Sequence, residues 1–168
     1  MVRKTLYFIM PAHARNLSVV DAPLARLFDE LTEMDVSEAA IYDVKLAVQE
    51  LCTNIVNHAY EGEPGKIRLR ITVYDEPPCV VITSQDEGLS TFNPTEWTPP
   101  TLDEPQVHGL GLYLIHQLMD EVTYQPSPGN NCWRLIKALG EASESADSTA
   151  PPTQVVTDAQ ESTDAVNT

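Results

Sequence analysis

The chain has 168 residues, enough for one domain with its own core, and 42% of them are hydrophobic. Its formal net charge is −15, because 25 acidic residues outnumber 10 Lys and Arg, and such a charge argues against direct nucleic-acid binding. No apolar run approaches the length of about 18 residues that a membrane-spanning helix needs.

The first two predicted elements are a strand and a helix. Arg3 to Met10 alternates in polarity, as a strand with one buried face does. Asn16 or Ser18 is placed to cap a helix that runs to about Met34. The side chains predicted to share the buried faces are Val2, Leu6, Phe8 and Met10 in the strand and Val20, Leu24, Leu27, Phe28 and Leu31 in the helix.

A longer helix follows, and it carries the most informative polar residues of the chain. Ser37 is placed to cap it, and Glu-Gly-Glu-Pro-Gly ends it after Tyr60. At about 100° per residue, its apolar side chains form one stripe. Glu50, Asn54 and His58 step by four and form a second row on another face. The apolar stripe consists of Ile41, Val44, Val48, Leu51, Ile55 and Ala59.

The second half of the chain combines four strands with a long loop and one more helix. A hairpin is predicted from two alternating stretches on either side of a Glu-Pro-Pro turn. The loop contains four prolines and shows no periodicity, so it is expected to be functional or disordered. The predicted ranges are strands at 67–74 and 79–84, the loop at 89–107, a helix at 109–120, and strands at 122–125 and 132–139.

This order of elements predicts an α+β fold. Each helix has one apolar stripe and each strand one apolar face, which favours a two-layer sandwich with the helices on one face of a mostly antiparallel, mixed sheet. Residues 1–139 are predicted to form this single domain. Residues 140–168 include six acids and no Lys or Arg, have few large apolar side chains, and are predicted to be a disordered tail.

Three cysteines, Cys52, Cys79 and Cys132, lie in apolar stretches without the spacing of metal ligands. They are predicted to be reduced, buried thiols. The first ten residues alternate like a strand instead of forming the apolar core of a signal peptide. A cytoplasmic location is therefore expected, with neither a zinc site nor a disulfide framework.

Three short groups of residues are candidates for chemistry, and each has a simpler explanation when taken alone. The acid, amide and imidazole row on the long helix is suited to a metal ion and a polyanion, but its spacing alone favours a solvated polar face. Asp86 and Gly88 follow a strand, where Asp-x-Gly is common turn chemistry. Gly109 and Gly111 open a helix, where two glycines alone indicate only flexibility.

Together, the three groups resemble the nucleotide-binding boxes of the GHKL ATPase superfamily, in the order in which that superfamily has them. Residues 50–60, Glu-Leu-Cys-Thr-Asn-Ile-Val-Asn-His-Ala-Tyr, are similar to its N-box. Asp-Glu-Gly at 86–88 is similar to its DxG box, and Gly-Leu-Gly at 109–111 to its GxG box. The resemblance covers about residues 1–139 and implies the Bergerat ATP-binding fold.

Within that superfamily the sequence is most similar to the anti-sigma factor serine-kinase branch. The Glu that precedes the Asn by four residues, the His-x-Tyr that follows, and Asp-Glu-Gly all fit that branch. So do Phe-Asn-Pro at 92–94 and Leu-Met-Asp-Glu-Val at 118–122. Sensor histidine kinases share the nucleotide fold, but they normally add a phosphoacceptor helix domain.

The resemblance implies ATP and Mg²⁺ as cofactors and assigns roles to the first two boxes. Asn54 would hold Mg²⁺ through its amide oxygen, and Glu50 would accept the proton of an attacking serine hydroxyl. The alternative for Glu50 is a surface carboxylate or an indirect support of Mg²⁺. Asp86 would accept a hydrogen bond from the adenine amino group, and Gly88 would let the base lie close to the backbone.

The third box and its neighbours would handle the phosphates. Gly109 and Gly111 would let backbone amides approach the phosphates where a helix begins, and the loop 89–107 would be the ATP lid. Neutralisation of the triphosphate would also involve His58 or His108, because residues 71–133 contain no Lys or Arg.

Two features depart from the serine-kinase branch. Kinases of this branch generally place an Arg near the GxG box, and here Val107, His108 and Leu110 occupy that neighbourhood. A Thr often found near the nucleotide on the last strands is replaced by Asn131 or Cys132. These departures affect the expectation of efficient phosphoryl transfer more than that of nucleotide binding.

The function implied by the resemblance is that of a serine/threonine protein kinase and anti-sigma factor. It would phosphorylate an anti-sigma factor antagonist, a STAS-domain protein, and bind a sigma factor in a partner-switching system. The missing basic residues favour an alternative, a partner-switch module that binds ATP without transferring phosphate. A third interpretation is a GHKL hydrolase that uses water, although such proteins usually add a transducer domain. Members of the branch often dimerise, so a homodimer is also expected.

Overall fold

A five-stranded sheet and a layer of helices make up the two layers of the fold. The computed structural model describes residues 1–31, 36–61, 63–93 and 110–140. The strands within these ranges are β1 (Val2–Pro11), β2 (Lys66–Asp75), β3 (Pro78–Asp86), β4 (Glu121–Gln125) and β5 (Asn131–Ala138). The α-helices are α1 (Asp21–Leu31), α2 (Glu38–Asn54) and α3 (Leu110–Leu118).

The strands are arranged in the order β1-β2-β3-β5-β4, and each of the four neighbouring pairs is antiparallel. One face of the sheet packs on the helices, so strand residues alternate between buried and more exposed positions. The predicted α+β sandwich is therefore confirmed.

The core lies between this face of the sheet and α2. Fully burying an aliphatic side chain contributes about 1.5–3 kcal/mol, so the central strands and α2 supply most of the hydrophobic stabilisation. Among the residues with no exposed surface are Val44, Ala47, Val48, Leu51 and Cys52 on α2, Ile67, Leu69, Ile71 and Val73 on β2, and Val80 and Ile82 on β3.

The N-terminal region differs from its prediction in two places. The register shifts between Val2 and Lys4, so Val2 leaves the buried row and is 53% exposed. A 3-10 helix over 14–20 precedes α1, and the ring of His13 accepts its capping hydrogen bond in place of a cap at Asn16 or Ser18. The predicted Leu31 side chain and the segment to Met34 lie outside the described residues. Val20, Leu24, Leu27 and Phe28 are buried as predicted.

Helix α2 begins as predicted, with the Ser37 hydroxyl accepting a hydrogen bond from the Ala40 backbone at 3.1 Å. After Asn54 the helix widens into one π-helical turn, Ile55–Ala59, before it ends at Tyr60. This turn was not predicted. At its other end α2 is held to β5, because Lys137 Nζ lies 2.9 Å from the carboxylate of Asp43.

Several boundaries in the second half move by one or two residues. Strand β3 extends past Ser84 and includes Asp86, and β5 begins at Asn131 instead of Cys132. Position 109, the predicted start of the third helix, lies outside the described residues. So do residues 141–168, which hold all but the first residue of the predicted tail.

The three cysteines are free, but only Cys52 is fully buried, and burial raises its pKa to about 12. Cys79 and Cys132 are half-buried, so the prediction of three buried thiols is wrong for these two. Within the described ranges, His, Cys, Asp and Glu form no group of three or more that could hold a metal ion. In the same ranges no helix has the length and apolarity to cross a membrane.

Candidate functional site

The start of α3 packs directly against the polar row of α2. A Cβ atom added to Gly111 would lie 2.7 Å from Glu50 Oε2 and 3.1 Å from Asn54 Oδ1. Both side chains therefore converge on the first turn of α3, where a residue larger than glycine would require the Glu50 carboxylate to move. The structure thus brings together an acid and an amide from one box with a glycine from another.

The π-helical turn at the end of α2 contacts the segment that follows β3. A Cβ atom on Gly88 would overlap the backbone carbonyl of Ala59, so the chain passes the π-helical turn too closely for any side chain. Gly111 meets α2 near Asn54, and Gly88 meets the same helix about one turn later. Glycines of the second and third predicted boxes therefore both contact the helix that carries the first.

Asp86 is a buried carboxylate held by two neutral donors. It is 1% exposed, and its Oδ1 accepts hydrogen bonds of 3.0 Å from the Gly88 backbone N–H and from Asn131 Nδ2. Burial raises the pKa of Asp86, and these two hydrogen bonds oppose the rise. Because two hydrogen bonds partly offset the cost of burying its charge, this carboxylate is a candidate for ligand recognition.

Tyr60 connects three segments at this end of α2. Its hydroxyl donates to the Lys66 carbonyl, and it accepts hydrogen bonds from the backbone N–H groups of Lys66 at 3.1 Å and Glu87 at 2.8 Å. Because Gly65 has no Cβ, the ring passes directly beside it. Tyr60 thus fixes the end of the helix against the start of β2 and against the residue after Asp86.

An aromatic cluster fixes the point where the chain leaves this region for residues 94–109. The Phe92 ring lies 5.8 Å from the rings of Tyr124 and Trp133, and those two are 4.2 Å apart between centroids. The Phe92 backbone N–H also donates to the Tyr124 hydroxyl at 3.2 Å. The beginning of the predicted lid is therefore anchored on β4 and β5.

A cavity of about 380 Å³ is lined by the 87–90 segment and by residues that follow α2. Its lining includes the carboxylates of Glu61, Glu63 and Glu87, of which Glu87 is paired with Arg68 at 2.6 Å. Acidic walls repel phosphate groups. This cavity is therefore a poor place for a triphosphate.

The remaining predicted site residues have different outcomes. His58 is solvent-exposed and lies in the π-helical turn, which departs from the 3.6-residue period that predicted its row with Glu50 and Asn54. His108 and Gly109 lie outside the described residues, as does the part of the predicted lid from residue 94 to 107.

Two buried polar residues of this region were not assigned roles from the sequence. Asn131 is 1% exposed and stands opposite Asp86 in the register of β3 and β5. Ser84 is fully buried, two residues before Asp86 on the same face, and its hydroxyl has no hydrogen-bond partner among the described residues. A polar residue at an inward-facing strand position was the available signal in both cases.

Residues 11–137 match the model of the family described as histidine kinase-like ATPase domain. The chain is 37% identical over 97 residues to the serine-protein kinase RsbW of Bacillus pumilus, a match that covers 53% of this chain and 60% of that relative. It is 32% identical over 126 residues to RsbW of Bacillus velezensis, covering 71% of this chain and 77% of the relative. RsbW of Bacillus subtilis is 31% identical with the same coverage.

The fold has a counterpart among solved structures. The crystal structure of the RsbU and RsbW domains of Rv1364c from Mycobacterium tuberculosis superposes with a TM-score of 0.58 at 19% identity. The match covers 82% of this chain and 32% of that one, so it concerns a single domain of the larger protein. At this identity the similarity establishes the fold alone.

Proposed function

The chain belongs to the histidine kinase-like ATPase domain family, in the branch of the RsbW serine-protein kinases, and on this premise we propose that it is an ATP-dependent protein kinase. Its substrate would be a serine or threonine of an anti-sigma factor antagonist in a partner-switching system. The observation that carries the proposal is the convergence of Glu50 and Asn54 on Gly111, because it joins an acid and an amide that could bind a metal ion at the start of a helix.

The residues around Gly111 fit a magnesium-bound triphosphate. The backbone N–H groups at the start of α3 favour an anion there, since they carry the positive end of the helix dipole. Asn54 would hold Mg²⁺ through Oδ1, as a hard cation that keeps several waters needs few protein ligands. When bound, Mg²⁺ neutralises phosphate charge and polarises the transferred group.

Glu50 is the residue proposed to accept the proton of the substrate hydroxyl. Its side chain is half-buried and lies one helical turn before Asn54, beside the glycine that would face the phosphates. A base in this position would be within reach of a hydroxyl aligned with the γ-phosphate. Catalysis of this kind depends mainly on positioning and charge stabilisation, both of which α2 supplies.

Recognition of adenine is proposed for the region of Asp86. Two donors occupy Oδ1, so an adenine amino group would donate to Oδ2. The unpartnered hydroxyl of Ser84 supports a polar ligand at this position. Direct recognition of the amino group would distinguish adenine from guanine, which carries a carbonyl there.

The proposed partners are a STAS-domain antagonist as the phosphorylation substrate and a sigma factor as the inhibited protein. Relatives named serine-protein kinase support the first of these most directly. A cytoplasmic location fits both partners, and a homodimer is the oligomeric state that we expect.

The test is a transfer assay with purified components. Proteins captured on the tagged full-length chain from a native lysate would be identified, and a STAS-domain protein among them would be purified and incubated with the chain and MgATP. Phosphoserine or phosphothreonine on that protein is the expected result. An antagonist that binds the chain and yet stays unphosphorylated over hours with saturating MgATP would contradict the kinase proposal.

One observation favours a second candidate, a module that binds ATP and its partners without transfer. From residue 71 to 133 the sequence contains no Lys or Arg, so no permanently charged basic side chain from this stretch could stabilise the transferred phosphoryl group. For this candidate, partner capture would persist in the assay above while phosphate transfer and ADP release would both be absent.

A further inference from the structure

The side chain of Asn131 makes four hydrogen bonds in the region around Asp86. Its Nδ2 donates to Asp86 Oδ1 at 3.0 Å, to the Gly88 carbonyl at 3.0 Å and to the Ser90 carbonyl at 3.3 Å. Its Oδ1 accepts a hydrogen bond of 3.0 Å from the Ser127 backbone N–H. One buried side chain therefore joins the end of β3, the segment toward residue 94, and the turn before β5.

The chemistry of these partners fixes the orientation of the Asn131 amide. Three acceptors lie on one side and a backbone donor on the other. A reversed amide would place two oxygens against each other at Asp86 and two donors against each other at Ser127. The NH₂ group must therefore face the carboxylate, and it is uncharged.

An uncharged donor has a specific consequence for Asp86. It opposes the effect of burial on the pKa of this carboxyl, while a cation would also have neutralised its charge. The titratable side chains that Asp86 influences in turn are Tyr124 and Cys132, whose pKa values burial raises. Neither is a cation at neutral pH, so the negative charge of Asp86 stays available to a ligand.

We propose that Asn131 is a positioning residue that sets the preference of this site for purines with a 6-amino group. By holding Oδ1 of Asp86, it directs Oδ2 toward the exocyclic amino group as an acceptor. Its bonds to Gly88 and Ser90 at the same time hold the segment on which the base would lie. The inference rests on the proposed function, because it requires that a purine nucleotide binds here.

The test compares two ligands that differ only in the group in question. Binding of MgATP and of the magnesium complex of purine riboside triphosphate, which lacks the 6-amino group, would be measured by calorimetry. A hydrogen bond to a charged group is worth about 1.5–3 kcal/mol, so the wild-type protein should prefer MgATP by roughly 10-fold or more. A general loss of structure would weaken both ligands alike and leave this ratio unchanged.

Two variants at position 131 that match each other in shape test the hydrogen-bond donor to Asp86. Asn131→Thr keeps a hydroxyl that can donate to Asp86, and Asn131→Val has the same branching without it. We expect the preference for MgATP to stay near 10-fold in Asn131→Thr and to fall to about 2-fold or less in Asn131→Val. Asn130→Ala is the control, because Asn130 is the exposed neighbour in the same turn and should keep the wild-type ratio. Equal ratios in the Thr and Val variants would overturn the inference.

If Asn131→Val does not fold, Asn131→Asp provides an independent measurement. At low pH the introduced carboxyl and Asp86 share a proton and the donor survives, and at higher pH both carboxyls ionise and repel each other. The preference for MgATP should therefore fall with rising pH in this variant only, and a flat profile would contradict the inference. A wild-type protein that binds neither triphosphate contradicts the proposed function itself. Equal wild-type affinity for both contradicts only the roles of Asp86 and Asn131.

Discussion

Glu50 and Asn54 lie on successive turns of α2. Their side-chain oxygens are 2.7 Å and 3.1 Å from the position that a Cβ atom on residue 111 would occupy. Because they share a location but differ in chemistry, single substitutions can separate a proton acceptor from a metal ligand. If the Glu50 carboxylate only supported the fold, its substitution would lower phosphate transfer and MgATP affinity together.

Glu50→Gln removes the proton acceptor while it keeps size and hydrogen-bonding capacity. We expect phosphate transfer to the antagonist to fall by about 10²–10⁴-fold, the usual contribution of a general base, with MgATP affinity changed by less than about 3-fold. Glu76→Gln makes the same charge change at an exposed turn at the far end of the β2–β3 hairpin, and it should retain wild-type transfer. Transfer at the normal rate in Glu50→Gln would reject the assignment.

Asn54→Ala removes the proposed magnesium ligand. We expect MgATP affinity to fall by roughly 10–100-fold, the range seen when groups that support a bound metal are lost. The sharper measurement is the difference between affinities with Mg²⁺ and with a chelator, which should largely disappear in the variant. Asn57→Ala, an exposed amide on the same helix, is the matched control. An unchanged magnesium dependence in Asn54→Ala would count against the proposed role.

At the scale of elements, α2 with its π-helical turn organises the site, since the segments that contain Gly88 and Gly111 both pack on it. Each contact requires a glycine, and each brings one box to the same helix. Substitutions at the contacts between elements should therefore change either MgATP affinity or the free energy of unfolding, according to which contact is altered.

Gly111→Ala tests the junction between α2 and α3. The new methyl group would lie 2.7 Å from Glu50 Oε2, so the carboxylate must move away from the start of α3. The added methyl group and the displaced carboxylate would crowd the surface proposed for the phosphates, and we expect MgATP affinity to fall by about 10-fold with the fold retained by circular dichroism. In Gly140→Ala the added atom meets Pro78 at 3.6 Å, an ordinary contact, and binding should be unaffected. Wild-type affinity in Gly111→Ala would show that this junction does not form the site.

Tyr60→Phe tests the junction between the end of α2 and β2. Loss of the hydroxyl leaves the backbone N–H groups of Lys66 and Glu87 without this acceptor in a half-buried position. We expect the free energy of unfolding to fall by about 1–3 kcal/mol in urea denaturation. Tyr42→Phe removes the same hydroxyl from a ring that is 63% exposed, and its effect should stay within about 0.5 kcal/mol. Equal effects in the two variants would contradict the proposed importance of these hydrogen bonds.

Local patterns in the sequence were sufficient for most elements but not for the junctions. The apolar stripe of α2 and its Ser37 cap follow from 3.6-residue periodicity and capping chemistry, and both are present. The π-helical turn that contains His58 has no such signature, because it arises where the helix meets other segments. Asn131 was noted only as a departure from a family pattern, since its role depends on which strand lies beside β5.

At the scale of the whole molecule, charge is the property that most affects a nucleotide-binding protein of this kind. The formal net charge of −15 repels a triphosphate at long range, and salt screens that repulsion beyond about 8 Å at physiological ionic strength. Local features must therefore provide the attraction, namely the start of α3 and a bound cation. Because six of the acids lie after residue 140, the C-terminal segment contributes to the repulsion without supplying any Lys or Arg.

Removal of residues 140–168 tests whether this segment acts only through its charge. Truncation after Leu139 changes the formal net charge from −15 to −9. We expect the melting temperature to change by less than about 3 °C, which corresponds to under 1 kcal/mol for a domain of this size. At physiological salt MgATP affinity should stay within about 2-fold, and at low salt it should increase, because less negative charge opposes the ligand.

The control for that truncation is the full-length chain with its tail acids replaced by amides. The substituted residues would be Glu141, Glu144, Asp147, Asp158, Glu161 and Asp164. If only charge matters, this variant and the truncated chain should show the same gain in affinity at low salt and the same melting temperature. A loss of many degrees on truncation alone would instead mean that the segment packs on the domain, because removing charge without removing chain leaves such contacts in place.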